Sequence, residues 1–188
     1  MELIPGDLIF QCVPSLDFGQ AVSAVYKGWK NYPINHVSLV LDRNDVIEAN
    51  RTGVEIRSIP EFQKKLIHQG QTWVLHGRVN TPSSKYITSA VNWARTQAGK
   101  PYNHNFTSGS KSFYCSQLAA EAFKFSAGKA ILPEFPMNFK DLHTNQTLPY
   151  WEKYYSQQGI TVPQGQAGTH PATQSLSGEL SITFYELN

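Results

Sequence analysis

The chain has 188 residues, a formal net charge of +2 and 16% charged residues, against roughly 25% in an average soluble protein. With 12% aromatic residues it carries enough apolar surface for one sizeable core, which excludes a disordered chain and sets the expectation of one domain over residues 1–188. No Lys/Arg cluster points to nucleic acid, and the two cysteines, Cys12 and Cys115, exclude a disulfide framework and a four-cysteine zinc site.

Residues 1–6 have no basic region and no long apolar stretch, so no signal peptide is expected. No run approaches the ~18 apolar residues of a membrane span. The expectation is a cytoplasmic protein without a transmembrane segment. Pro5-Gly6-Asp7 reads as a turn before a strand over 8–13. Phe18, Ala21, Val22, Val25, Tyr26 and Trp29 recur at helical spacing, with Gly28 near the end. Residues 35–41 are β-rich, 42–45 form a turn and 46–50 a second strand, which makes a hairpin. A short strand over 54–57, a helix over 60–67 and a strand over 73–79 follow. Ser83 or Ser84 caps a helix that presents Ile87, Ala90, Val91, Ala94 and Ala98, and Gly99 then Pro101 stop it. The next helix starts near Ser112, carries Cys115, Leu118, Ala119, Ala122 and Phe123 on one face, and ends at Gly128. Residues 133–155 read as aromatic and irregular, with a turn of helix after Asn138. Residues 156–178 hold no Asp, Glu, Lys or Arg and read as a long flexible loop, a candidate lid. A strand over 180–185 closes an α+β domain with a mostly antiparallel sheet.

Four residues could carry chemistry. Cys115 falls in the first turn of a helix, where free N–H groups and the dipole favour a thiolate; a cysteine on an apolar face is equally a small core residue. His36 begins a strand, where a rigidly held imidazole can take a proton from a thiol or simply be a satisfied structural histidine. Glu48 lies across the hairpin. A three-residue loop, with Leu41 opposite Asp45, sets Glu48 opposite Ser38 and diagonal to His36 on one face; a two-residue turn would set them on opposite faces. A carboxylate there would fix the imidazole tautomer; otherwise it is a solvated strand glutamate. Tyr102, between two helices, could donate to a developing oxyanion or pack as core. His68, His76, His104, His143 and His170 show no metal-ligand spacing with a carboxylate or thiol, and no cofactor is called for.

The blocks Pro5-Gly6-Asp7-Leu8-Ile9-Phe10, His36-Val37-Ser38-Leu39-Val40-Leu41, Val46-Ile47-Glu48-Ala49, Gly99-Lys100-Pro101-Tyr102 and Tyr114-Cys115-Ser116-Gln117-Leu118 resemble the signature blocks of NlpC-type papain-like cysteine peptidases. The Gly-Asp and His strands precede the Cys helix here, as in the circularly permuted branch, with the YiiX/YebB-like hydrolases nearest and the lecithin retinol acyltransferase-like enzymes further off. The resemblance implies a permuted papain-like α+β fold. It makes Cys115 the nucleophile, His36 the base, Glu48 the orienting residue, and Tyr102 and Tyr114 oxyanion or substrate-binding residues. Two departures stand out: Gln117 replaces a usual Gly after Cys-Ser, and Glu48 replaces a frequent His. The resemblance implies a cysteine hydrolase of a peptide or isopeptide bond. A lipid or thioester acyl hydrolase or acyltransferase, and a silent binding module, remain as alternatives. The implied partner is a peptide-like or acyl-lipid substrate.

Overall fold

The computed structural model describes residues 1–13, 17–80, 83–109, 111–127 and 130–187. Strands β1 (Leu8–Gln11), β2 (His36–Val40), β3 (Asp45–Asn50), β4 (Gly53–Ser58) and β5 (Trp73–Val79) build an antiparallel sheet. Two short strands, β6 (Phe135–Pro136) and β7 (Ala167–Gly168), pair apart from it, and β8 (Leu180–Glu186) adds to β5. The six-stranded order is β4-β3-β2-β1-β5-β8.

Side-chain alternation gives this sheet two apolar faces. Leu8, Phe10, Val37, Leu39 and Ile47 point to the larger core, where they meet α3 (Ser84–Arg95) and α4 (Cys115–Ala127) through Ala90, Ala94, Leu118 and Phe123. Ile9, Val40, Val46 and Val74 point the other way and are covered by Phe62 and Leu66 of α2 (Ile59–His68). The local sequence fixes where α2 begins. The Ser58 hydroxyl accepts from the Glu61 N–H, the Glu61 carboxylate accepts from the Ser58 N–H, and Pro60 sits in the first turn. Ser83 caps α3 by accepting from the Tyr86 N–H at 3.2 Å.

Several elements differ from the sequence expectation. Helix α1 (Phe18–Ala24) stops short of Trp29; a separate 3-10 turn covers Trp29–Asn31, with Lys30 and Asn31 at φ 49° and 65°. The chain breaks there because the Trp29 N–H donates to Ser175 Oγ at 2.9 Å, a tertiary partner outside the helix. Helix α4 begins at Cys115 rather than near Ser112, since Phe113 bridges to Tyr102 in parallel and its N–H donates to the Pro101 carbonyl at 3.2 Å. Gly128, expected to end α4, lies outside the described residues. No helical turn follows Asn138, whose side chain instead accepts from the Lys140 N–H at 3.1 Å; the helix in this region is α5 (Pro149–Ser156).

The uncharged stretch 156–178 contains β7 and α6 (Pro171–Gln174) rather than loop alone. Thr169, His170, Gln174 and Ser175 in it are buried. A segment without ionic side chains can enter a core at the cost of satisfying hydrogen bonds only. Thr169 Oγ1 donates to Ser116 Oγ at 3.1 Å and Gln174 Nε2 to the Ser116 carbonyl at 2.7 Å. Among the described residues no helix is long and apolar enough to cross a membrane. Phe123 is fully buried at the α3–α4 contact. Phe123→Ala should therefore lower unfolding free energy by about 3–5 kcal/mol, read by urea denaturation; a loss under 1 kcal/mol would mean that this contact is not part of the main core.

Candidate active site

The hairpin turn sets the geometry. Asp42 Oδ1 accepts from the Asn44 N–H at 2.7 Å and from the Asp45 N–H at 3.0 Å, and the Leu41 N–H donates to the Asp45 carbonyl at 2.9 Å. This side-chain turn imposes the three-residue loop. The register is then Leu39 opposite Ile47 and Val40 opposite Val46, which carries Glu48 level with Ser38. His36 and Glu48 thus share a face, and His36 Nε2 lies 2.8 Å from Glu48 Oε2. Ser38 Oγ donates to the same oxygen at 3.4 Å.

Glu48 is fully buried. Its other oxygen accepts from Arg57 Nε at 3.2 Å and from the Lys65 ammonium. Burial alone would raise its pKa, but the bond and charge of His36, then those of Lys65, hold the carboxyl well below the usual carboxylate range. Neither Arg57 nor Lys65 stood out in the sequence. Arg57 had a signal: it lies two residues beyond Glu55, which faces Glu48 across the β3–β4 ladder. Lys65 had none, because only the docking of α2 on the sheet brings it there.

Cys115 opens α4, is 7% exposed, and lines the same cavity as His36, whose imidazole responds to its charge. With Nε2 held by Glu48, Nδ1 is the ring nitrogen available to the thiol. Burial pushes the imidazole down; the negative charge and hydrogen bond of Cys115 push it up, Glu48 adds to this, and His36 rises to about 9. Gln117 ties the approach to α4 in place. Its Oε1 accepts from Asn103 Nδ2 at 3.1 Å and its Nε2 donates to the Gly109 carbonyl at 2.8 Å.

Cys115, His36, Tyr102 and Tyr114 all line one cavity of about 240 Å³. The Tyr102 hydroxyl is kept protonated, with its acidity suppressed by burial and by the nearby Cys115 charge. Tyr114 offers its ring to the cavity, while its hydroxyl accepts from the Thr169 N–H at 2.9 Å. His170 also lines the cavity but is a structural group. Burial pushes it down to about 3, its Nε2 faces the Val22 carbonyl at 3.0 Å, and its Nδ1 caps α6 by accepting from the Ala172 N–H at 3.1 Å. Among the described residues no group of three or more His, Cys, Asp or Glu side chains could hold a metal ion.

A family model described as permuted papain-like amidase enzyme, YaeF/YiiX, C92 family, matches residues 2–176. A solved structure, described as the metalloprotein yiiX from Escherichia coli O157:H7, superposes with a TM-score of 0.78 at 18% identity, covering 97% of each chain. No curated protein matches this chain.

Because the His36 value lies above the ordinary 6.5, its ion pairing supports the fold fully below about 6.5 and the support fades as pH rises through about 9. An NMR titration should place the His36 ring near 9. Cys115→Ala should lower that value more than Glu48→Gln does; the reverse order, or a wild-type value at or below 6.5, would show that the thiol and the ring do not share a charge.

Proposed function

This chain belongs to the YaeF/YiiX (C92) family of permuted papain-like amidases, and on that premise we propose that it cleaves an amide bond with Cys115 as nucleophile, His36 as base and acid, and Glu48 as the residue that orients the imidazole. The observation that carries this reading is the position of His36. It is held on one nitrogen by a buried carboxylate and lines one cavity with Cys115, the only thiol among the described residues of that lining.

The Cys115 proton rests on His36, which holds it up to about pH 9, and the thiolate sulfur attacks the substrate carbonyl carbon as the C=O bond opens to an oxyanion. The Cys115 N–H stands in the first turn of α4, where no intrahelical acceptor exists. With the Tyr102 hydroxyl it stabilises that oxyanion. When the C=O re-forms, the C–N bond breaks, and the leaving nitrogen takes the proton from His36. Water then gives its proton to His36 and its oxygen to the thioester carbon, and the thiol returns with that proton. Glu48 keeps its own proton off throughout; it holds the ring and stabilises the imidazolium. Arg57 and Lys65 neutralise Glu48 and position it without touching the reacting atoms.

The apolar cavity walls favour a second reading, hydrolysis or transfer of an apolar acyl group from an ester or thioester through the same acyl-enzyme. A panel pairing amide, ester and thioester of one acyl group separates the two by their relative kcat/KM.

Cys115→Ala should abolish turnover with an unchanged circular dichroism spectrum; retained turnover would reject the assignment. In a Cys12→Ser background, iodoacetamide should alkylate Cys115 rapidly at pH 6–7, and His36→Ala should slow this, with kcat/KM reduced by about 10²–10⁴-fold. In the wild type, kcat/KM should fall as pH rises past about 9, where the His36 proton is lost.

A further inference from the structure

We propose that the substrate is an N-acylated amino acid, whose apolar acyl group fills the cavity beside Cys115 and whose free carboxylate binds Arg51. The proposal rests on the amidase reading of this site and adds the chemistry on each side of the scissile bond.

The cavity is walled by apolar side chains, among them Phe18, Val22, Val25, Met137, Phe139 and Trp151. Such a space holds an apolar group far better than it holds water or a charged side chain. Cys115 is part of its lining, so an apolar group inside it can be the one attached to the carbonyl that the thiol attacks.

Apart from the Cys115–His36 pair, the charged side chains on the cavity are cationic. Among the described residues that line it there is no Asp or Glu; besides His36 the ionisable chains of opposite preference are Arg51 and Lys65. Lys65 is bound to the buried Glu48. Arg51 is exposed, lies over the Phe18 ring at 5.6 Å, and has no carboxylate within 4.0 Å among the described residues. Asp17, close enough to act on Tyr150, makes no ion pair with Arg51. A guanidinium stacked on an aromatic ring and open on its donor edge is a bidentate partner for a planar carboxylate.

Arg51 is also held at a fixed place relative to the reaction centre. The β3–β4 turn is braced by Asn50 Oδ1, which accepts from the Thr52 N–H at 2.8 Å. It is then pinned to the 99–101 segment: the Val54 N–H donates to the Lys100 carbonyl and the Gly99 N–H to the Val54 carbonyl, both at 2.8 Å. Gly53, at φ +131°, lies so close to the Lys100 carbonyl that a Cβ would approach it to 2.8 Å. This same segment runs directly into Tyr102, whose hydroxyl feels both the Cys115 and the Arg51 charge. Arg51 and Cys115 line the same cavity, and an α-carboxylate lies two bonds from the amide nitrogen, which suits a carboxylate of the leaving group to Arg51. The reaction takes up one water and yields an apolar carboxylic acid and a free amino acid.

The test uses N-octanoylglycine, N-acetylglycine and N-octanoylglycinamide. Calorimetry with Cys115→Ala reads binding apart from chemistry. Shortening the chain and removing the carboxylate should each weaken binding about 10-fold or more. Arg51→Gln, in the same background, should collapse the preference for carboxylate over carboxamide to about 2-fold or less. Wild-type protein should release glycine from N-octanoylglycine with a higher kcat/KM than from either comparison compound. Equal affinity for all three, or an unchanged head-group preference in Arg51→Gln, overturns the proposal. If the three compounds fail to discriminate while alkylation of Cys115 still depends on His36, the substrate class is wrong and the amidase reading stands. Discriminating binding with no glycine release supports the site and overturns the amidase reading.

Discussion

The buried carboxylate of Glu48 is the constraint on which the rest of the site depends. A charge taken wholly out of water is costly unless every oxygen finds a partner. Glu48 meets this by drawing on two neighbouring strands of the sheet and on one helix that covers it: His36 and Ser38 from β2, Arg57 from β4 and Lys65 from α2. Each partner is positioned in satisfying it. The imidazole is turned so that one nitrogen faces the carboxylate and the other the thiol, and α2 is fixed over the small apolar face of the sheet. A hairpin register shifted by one residue would send Glu48 into the main core with no cation beside it. The Asp42 turn therefore matters to the chemistry although its own hydrogen bonds are to the turn itself.

A second constraint comes from the ends of the elements. The proposed nucleophile opens a helix and the proposed base opens a strand. Neither end is stiff by itself. The parallel bridge of Tyr102 to Phe113 and the hydrogen bonds of Gln117 hold the approach to α4. Asn35 holds the approach to β2: its Oδ1 accepts from the Val13 N–H at 2.7 Å and its Nδ2 donates to the Val13 carbonyl at 2.9 Å and the Gly19 carbonyl at 3.1 Å. The same contacts position α1, which supplies Phe18 and Val22 to the cavity wall. The opposite wall comes from a mesh of edge-to-face aromatic pairs, including Phe139–Trp151 at 5.3 Å and Phe106–Trp151 at 5.8 Å. Substrate space and catalytic geometry thus share one set of supports.

The regular elements were legible because their signals are local. The strand alternation of residues 36–50, the Asx-type turn between them, the serine cap of α3 and the apolar face of α4 are all written within a few residues of one another. The pairing of His36 with Glu48 was legible for the same reason, since only a short loop separates their strands. The segments misread were those whose conformation answers to distant partners. Trp29 leaves helical geometry to meet Ser175, and the uncharged stretch around Thr169 and His170 folds inward to satisfy Ser116 and the Val22 carbonyl. Aromatic density over residues 133–155 looked irregular because the ring contacts that order it come from α1 and the Tyr102–Phe106 loop.

By itself the sequence determined the α+β class, the permuted order of the strand and helix blocks, and the candidate residues Cys115, His36 and Glu48. These follow from periodicity, turn chemistry and motif, which act over short separations. Tertiary structure alone decided that the thiol and the imidazole line one cavity, that Lys65 and Arg57 converge on Glu48, and that Arg51 joins the same apolar cavity. Those relations join elements tens of residues apart. They are settled by the packing of α2 and α4 on opposite faces of one sheet and by the need to satisfy a single buried charge.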